Sequence, residues 1–118
     1  MATVLIVDDS AFMRMRCVQS VKELGYDTVE AEDGGQAIEM YKKEKPVAVL
    51  LDITMPNVDG LTALKEIMSF DSNAKIAMVT AIGQQSMVME ALKAGARDFV
   101  VKPFEPDRVK ATLEKLVA

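Results

Sequence analysis

Asp8 and Asp9 directly follow the apolar run Val4-Leu5-Ile6-Val7, and Asp52 closes a second run, Val47-Ala48-Val49-Leu50-Leu51. An unbroken run of four or five apolar residues reads as a strand buried on both faces, as in a parallel sheet. Open α/β sheets bind their ligands at the carboxyl ends of such strands. If the two strands are neighbours, three carboxylates converge on one spot. Their mutual repulsion then calls for a cation, protonation or both. A donor set made only of oxygens suits a hard divalent ion, magnesium first and manganese as an alternative.

Two further groups fall on the same expected edge. Thr80 ends one strand-like run and Lys102 follows another. An ammonium can neutralise a carboxylate or an incoming phosphoryl oxygen, and a hydroxyl can donate one hydrogen bond to such an oxygen. Three carboxylates, a hydroxyl and an ammonium are the parts needed to transfer a phosphoryl group onto an aspartate, with metal and lysine meeting the charge on the transferring oxygens. A single acid at a strand end is an ordinary solvated turn residue, but five groups on one edge are not readily explained that way. Pro103 restricts the backbone directly after Lys102 and permits a cis bond there.

The elements that must position these groups alternate along the chain. Strands are predicted over 3–7, 27–32, 47–52, 75–80 and 98–101, and helices over 11–24, 35–43, 61–69, 84–94 and 106–117. Gly25 and Gly95 fall where a left-handed helix cap is expected, Pro46 stops the second helix, and Pro106 suits the first turn of the fifth. Pro56 and Gly60 bracket a loop after the third strand. Alternating β and α units imply a parallel sheet with helices on both faces. On the first helix Met13, Cys17, Val21 and Leu24 share one face, so Cys17 is expected to be a buried small hydrophobe. Phe12, Met15 and Val18 are expected on the other side, either as scattered surface hydrophobes or as a partner patch.

Composition narrows the function. At 118 residues, half of them hydrophobic, the chain suits one domain with one core. A net charge of −4 gives no reason to expect nucleic-acid binding. No apolar run approaches a membrane span, and Met1-Ala2-Thr3 lacks the basic start of a signal peptide, so a cytoplasmic location is expected. One cysteine and no histidine exclude an internal disulfide and the usual zinc sites.

The motifs Val-Asp-Asp-Ser at 7–10, Leu-Asp-Ile-Thr-Met-Pro at 51–56 with Asp59-Gly60, Thr80-Ala81 and Val-Lys-Pro-Phe at 101–104 stand in order along five βα units. In this the chain resembles the receiver domains of two-component response regulators, most closely the free-standing CheY-type regulators of chemotaxis. The resemblance covers essentially the whole chain. It implies a single doubly wound (βα)5, flavodoxin-like α/β domain over 1–118, strand order 2-1-3-4-5, and no output domain. It makes Asp52 the phosphoacceptor, with Asp8, Asp9, Asp52 and the Thr54 backbone carbonyl around magnesium. Asp9 and Asp52 would ligate directly and Asp8 mainly through water. Lys102 would contact the phosphoryl oxygens, Thr80 would move toward them, and Phe99 would rotate inward behind Thr80. Thr54 and Ile82 would flank the phosphoryl group and tune its lifetime. A partner surface of Val88, Phe99, Arg108 and Lys110 would lie on the fourth helix, fifth strand and fifth helix. The implied partners are a histidine kinase as phosphodonor, a target such as a flagellar switch component, and a phosphatase. The implied state is a monomer that is not itself an enzyme beyond slow self-dephosphorylation.

Other readings fit less of the chain. A receiver of a non-chemotaxis phosphorelay would share every motif. Haloacid-dehalogenase-type phosphatases use a magnesium-assisted aspartate, but in an Asp-x-Asp motif, where this chain has Asp8-Asp9-Ser10. A flavin carrier on this fold would need small and hydroxyl residues facing the flavin phosphate, and Asp8 and Asp9 would repel it.

Overall fold

The computed structural model describes residues 2–53, 59–81, 84–102 and 104–118. Strands Thr3–Val7 (β1), Asp27–Ala31 (β2), Ala48–Asp52 (β3), Ile76–Thr80 (β4) and Asp98–Val101 (β5) alternate with helices Ala11–Glu23 (α1), Gly34–Glu44 (α2), Gly60–Phe70 (α3), Gln85–Lys93 (α4) and Pro106–Val117 (α5). The strands form one parallel sheet in the order β2-β1-β3-β4-β5, as the resemblance implied. Register brings the site together. Val7 lies opposite Leu51, Asp52 opposite Val79, and Thr80 opposite Val101. Four strands therefore end almost level at their carboxyl edge.

The unbroken apolar runs are explained by two cores, one on each face of the sheet. Leu5, Val7, Val49, Leu51, Ile76 and Met78 pack with Ala37, Tyr41, Leu64, Ile67, Val88 and Ala91 from α2, α3 and α4. Val4, Ile6, Ala48, Leu50, Ala77 and Val79 pack with Cys17, Val21, Val109, Leu113 and Leu116 from α1 and α5. Successive side chains of a strand point to opposite faces, so the central strands need apolar residues at every position. Cys17 is buried as expected, and burial first, with the Asp8 charge adding, pushes its thiol up to about 12. Phe12 and Met15 are exposed, but Val18 is half-buried against the α1–α5 core and does not share their side.

Element ends differ from the sequence expectation by one residue in several places, for local reasons. β2 stops at Ala31 because the Glu32 N–H donates to Gln36 Oε1 at 3.0 Å, starting the turn into α2. Side-chain oxygens of Ser10, Asp33 and Asp59 accept from backbone N–H groups three residues on, capping α1, α2 and α3. Such caps are each worth about 1 kcal/mol. Gly25 and Gly95 have φ of 96° and 120°, the left-handed conformation expected of them, and Lys45 takes it before Pro46.

Gly60 matters for a different reason. A Cβ built there would lie 1.8 Å from the Asp52 carbonyl oxygen and 2.8 Å from Ile53 Cα. Its N–H donates to the Ile53 carbonyl at 2.8 Å. The start of α3 thus leans directly on the backbone that carries Asp52, and only glycine permits that approach. Gly60→Ala should destabilise the fold by at least about 2 kcal/mol, since the obstacle is backbone rather than a pliable side chain. Gly35→Ala, whose Cβ would meet only Asp33 Oδ1 at 3.4 Å, should be neutral or stabilising by up to about 1 kcal/mol. Urea unfolding of both variants checks the contrast, and equal effects would refute the close approach.

Candidate functional site

Asp8 follows β1, Asp52 ends β3, Thr80 ends β4 and Lys102 follows β5. Asp8 and Asp52 are buried, at 6% and 5% exposure, while Asp9 is exposed. One carboxylate oxygen from each of the three aspartates lies within 4.8 Å of the others. The Lys102 ammonium sits between the buried pair, 2.8 Å from Asp8 Oδ2 and 3.3 Å from Asp52 Oδ2. The other Asp8 oxygen accepts the Ser10 N–H at 2.9 Å. The Asp8 carbonyl accepts from Arg14 Nη1 at 2.7 Å, and the same guanidinium pairs with Glu30 at 2.9 Å and Glu32 at 3.6 Å. Arg14 thereby fixes the backbone of Asp8 from α1.

These contacts do not make Asp52 an ordinary carboxylate. Burial pushes it up from 3.8 to about 6; Lys102 opposes the shift, and the Asp8 and Asp9 charges add to it. For Lys102, burial acts to lower the pKa, but its hydrogen bonds and charge pairing with Asp8 and Asp52 outweigh that and raise it. At neutral pH the lysine is an ammonium and Asp52 an under-stabilised carboxylate, with electron density to give an electrophile or a cation. The donor set fits a hard divalent ion. Magnesium–oxygen bonds of about 2.0–2.1 Å place octahedral ligands about 3 to 4.2 Å apart, within reach of this cluster. The three aspartates could hold such a metal.

Thr80 is buried and its hydroxyl lies 2.8 Å from Gln84 Oε1. It lines a groove between α4 and β5 with Gln84, Val88, Met89, Leu92, Phe99 and Val101. A larger cavity, of about 420 Å³, opens beside Ala2, Tyr41, Pro46 and Lys75 and holds none of the groups gathered at the strand ends. The chemistry therefore locates the site better than cavity size does.

Asp8, Asp9, Asp52 and Lys102 come together as the sequence led us to expect, and Thr80 ends the adjacent strand. Thr54, Ile82 and the Lys102–Pro103 bond fall outside the described residues. The expected partner surface is rearranged. Val88 is 7% exposed and belongs to the core, so the exposed apolar groups beside Phe99 are Met89 and Val101. Lys110 lies on the other flank of α5, beside Leu24 and Tyr26. The Arg108 guanidinium is engaged by Asp98 and by the Phe99 carbonyl. Sequence reasoning missed Arg14 and Gln84, and it placed Gly60 in a loop and a motif without its approach to the Asp52 backbone. Gln84 was the one within reach, since the start of α4 lies four residues beyond Thr80.

The chain matches the response regulator receiver domain family over residues 4–114. It is 54% identical over 114 residues to the chemotaxis protein CheY of Thermotoga maritima, covering 96% of this chain and 95% of that one. It is likewise 54% identical over 113 residues to CheY of Bacillus subtilis, covering 95% of this chain and 94% of that one. Among solved structures, CheY of Borrelia burgdorferi in complex with CheX, BeF3 and Mg2+ superposes with a TM-score of 0.93 at 38% identity, covering 99% of this chain and 90% of that one.

Burying Asp52 costs stability in a pH-dependent way. Below 3.8 folded and unfolded chains both hold its proton; as pH rises toward about 6 the unfolded chain loses it first, so stability falls. The penalty is complete above about 6 and, discounted for solvent screening, amounts to about 1–3 kcal/mol. Asp52→Asn should therefore stabilise the chelator-treated protein at neutral pH by about 1–3 kcal/mol, allowing for the weakened Lys102 contact. Urea unfolding should show that gain shrinking toward about pH 4. A gain that does not vary with pH would contradict the burial argument.

Proposed function

This chain belongs to the receiver domain family of two-component response regulators, and from that premise we propose that it is a phosphorylation-controlled switch acting in chemotaxis-type signalling. Proteins of this kind are signalling proteins rather than enzymes in the usual sense. The observation that carries the reading is Asp52: a buried carboxylate with a raised pKa, 3.3 Å from an ammonium and within 4.8 Å of two more carboxylates.

In the proposed reaction an Asp52 oxygen attacks the phosphorus of a phosphohistidine on a histidine kinase. An O–P bond forms and the P–N bond breaks. The histidine nitrogen leaves with the electron pair and takes a proton from solvent, and an acyl phosphate remains on Asp52. Lys102 turns from the carboxylates to the new phosphoryl oxygens as a charge-assisted donor. Magnesium held by Asp8, Asp9 and Asp52 would offset negative charge on the site and on the transferred group. Thr80 then donates its hydroxyl hydrogen to a phosphoryl oxygen, and Phe99 turns into the space it leaves. The groove between α4 and β5 changes shape, and a target protein selects the changed form.

Support for a protein partner comes from the Borrelia burgdorferi relative, which is in complex with CheX, BeF3 and Mg2+; beryllium fluoride is a general mimic of a phosphoryl group. A flagellar switch component is the proposed target, in line with chemotaxis relatives of nearly the same length as this chain. A phosphatase and a cytoplasmic setting complete the proposal. No helix among the described residues is long and apolar enough to cross a membrane.

Acetyl phosphate should label the protein once, at Asp52, and only with magnesium or manganese present. Asp52→Asn should take no label, and Asp9→Asn should need several-fold more metal. Intact-mass and peptide analysis decide the matter; label on a serine or threonine would sink the reading. For the output, Phe99→Ala should keep labelling within about twofold while losing most of the gain in target affinity, a gain of about 1–3 kcal/mol in such couplings. Titration of the phosphorylated variant against the target measures it, and a full gain would remove Phe99 from the mechanism.

A further inference from the structure

Thr80 has one hydroxyl hydrogen and two acceptors near it, Gln84 Oε1 at 2.8 Å and the Ala81 carbonyl at 3.1 Å. The shorter contact takes the hydrogen. The same Gln84 oxygen accepts the Ala81 N–H at 2.8 Å. That second donor settles which way the amide faces, since its nitrogen placed there would oppose donor to donor. The Gln84 carbonyl accepts from Met87 and Val88 N–H at 3.1 and 3.0 Å, within the first turn of α4. The side chain of Gln84 therefore holds the end of β4 while its backbone is built into α4.

We propose that Gln84 is a positioning residue, a latch that occupies the Thr80 hydroxyl in the resting protein and must release it before that hydroxyl can serve the phosphoryl group. The proposal rests on the receiver reading of Thr80 given above. Its consequences go further, because the hydrogen bond that opens is also one that ties α4 to β4. Turning Thr80 exchanges a hydrogen bond to Gln84 for one to a phosphoryl oxygen, and it removes one of the two hydrogen bonds by which the Gln84 oxygen ties the first turn of α4 to the end of β4. Gln84 and Thr80 line the same groove as Val88, Met89 and Phe99, so the release occurs where the surface is proposed to change. The resting state gains from the latch what one neutral hydrogen bond gives, and loss of the latch should shift the equilibrium toward the turned state by a similar factor.

The test uses the full chain, magnesium and beryllium fluoride, with the apparent Kd and the Ala81 amide resonance followed by two-dimensional NMR. Gln84→Met keeps the length of the side chain and removes the acceptor. It should bind beryllium fluoride about fivefold more tightly than wild type, the factor carried by one neutral hydrogen bond of about 1 kcal/mol. Its Ala81 resonance should move before any ligand is added. Gln84→Glu keeps an acceptor and strengthens it, and should bind several-fold more weakly. Both changes should vanish when Thr80→Ala is also present, because a residue that acts through Thr80 has nothing to act on without it. An unchanged Kd in Gln84→Met, or the same change in the Thr80→Ala background, overturns the latch. If Gln84→Met does not fold, the loss of the Gln84→Glu effect on removing Thr80 supports the latch, and its persistence overturns it. Failure of the receiver reading would show differently, as wild-type protein that neither binds beryllium fluoride nor labels at Asp52.

Discussion

Two buried carboxylates, Asp8 and Asp52, share one ammonium, that of Lys102, at 2.8 and 3.3 Å. One positive charge cannot satisfy two negative ones, and Asp9 brings a third into the same space. The arrangement is unfavourable by itself: burial first, and the Asp8 and Asp9 charges after it, raise the pKa of Asp52 against the pull of Lys102. It persists because the strands that end in these residues are fixed from both sides. β1, β3 and β4 are buried along nearly their whole length, and one fully buried aliphatic side chain contributes roughly 1.5–3 kcal/mol. The cost of placing Asp52 is comparable to one or two such side chains, and the cores hold many. A cluster held poised in this way is what the proposed cation and phosphoryl group would relieve.

The backbone was legible in the sequence for the same reason. A strand covered on both faces must be apolar at every position, so Val4–Val7 and Val49–Leu51 could be read without periodicity. Gly25, Gly95 and Pro106 marked helix ends through backbone geometry that few other residues accept. The acids and Lys102 were legible because charged residues at the ends of such strands stand out. Arg14, Gln84 and Gly60 were not, for different reasons. Arg14 is one of several basic residues on α1, and only tertiary structure shows that it reaches the Asp8 carbonyl. Gln84 stands four residues beyond Thr80, close enough in sequence to be suspected, but only tertiary structure shows that its side chain reaches the hydroxyl. Gly60 reads as a loop glycine until the Asp52 carbonyl appears beside it. Val88 was misplaced because one apolar residue on a short helix does not reveal which side of it is covered, and the core claims it.

β5 shows how the site reaches the surface. Its residues alternate, so Asp98 and Val100 face α5 while Phe99 and Val101 face α4. On the α5 side Asp98 is fixed by the Thr112 hydroxyl at 3.0 Å and Arg108 at 3.3 Å, with Lys115 at 3.8 Å. Arg108 also holds the Phe99 carbonyl, so the backbone of the strand is pinned from that side. On the α4 side the side chains meet a groove rather than a packed core, and Phe99 is only partly buried there. A strand pinned on one face and loosely covered on the other transmits change in one direction.

The path from chemistry to groove is correspondingly short. The Lys102 N–H donates to the Thr80 carbonyl at 2.7 Å, so the two residues proposed to meet the phosphoryl oxygens are tied through their backbones. Phe99 lies opposite Met78 on the same ladder, and Val101 opposite Thr80. With the backbone fixed by those bonds, only side chains are free to answer a new charge at Asp52. In the proposed switch Lys102 would exchange one carboxylate for a phosphoryl oxygen, Thr80 would exchange Gln84 for another, and Phe99 would take the room that Thr80 leaves. Each is a rotation within one residue of a pinned strand. Such a switch would need no movement of the sheet, and the sheet could stay rigid enough to keep three carboxylates together while the groove between α4 and β5 changes what it presents.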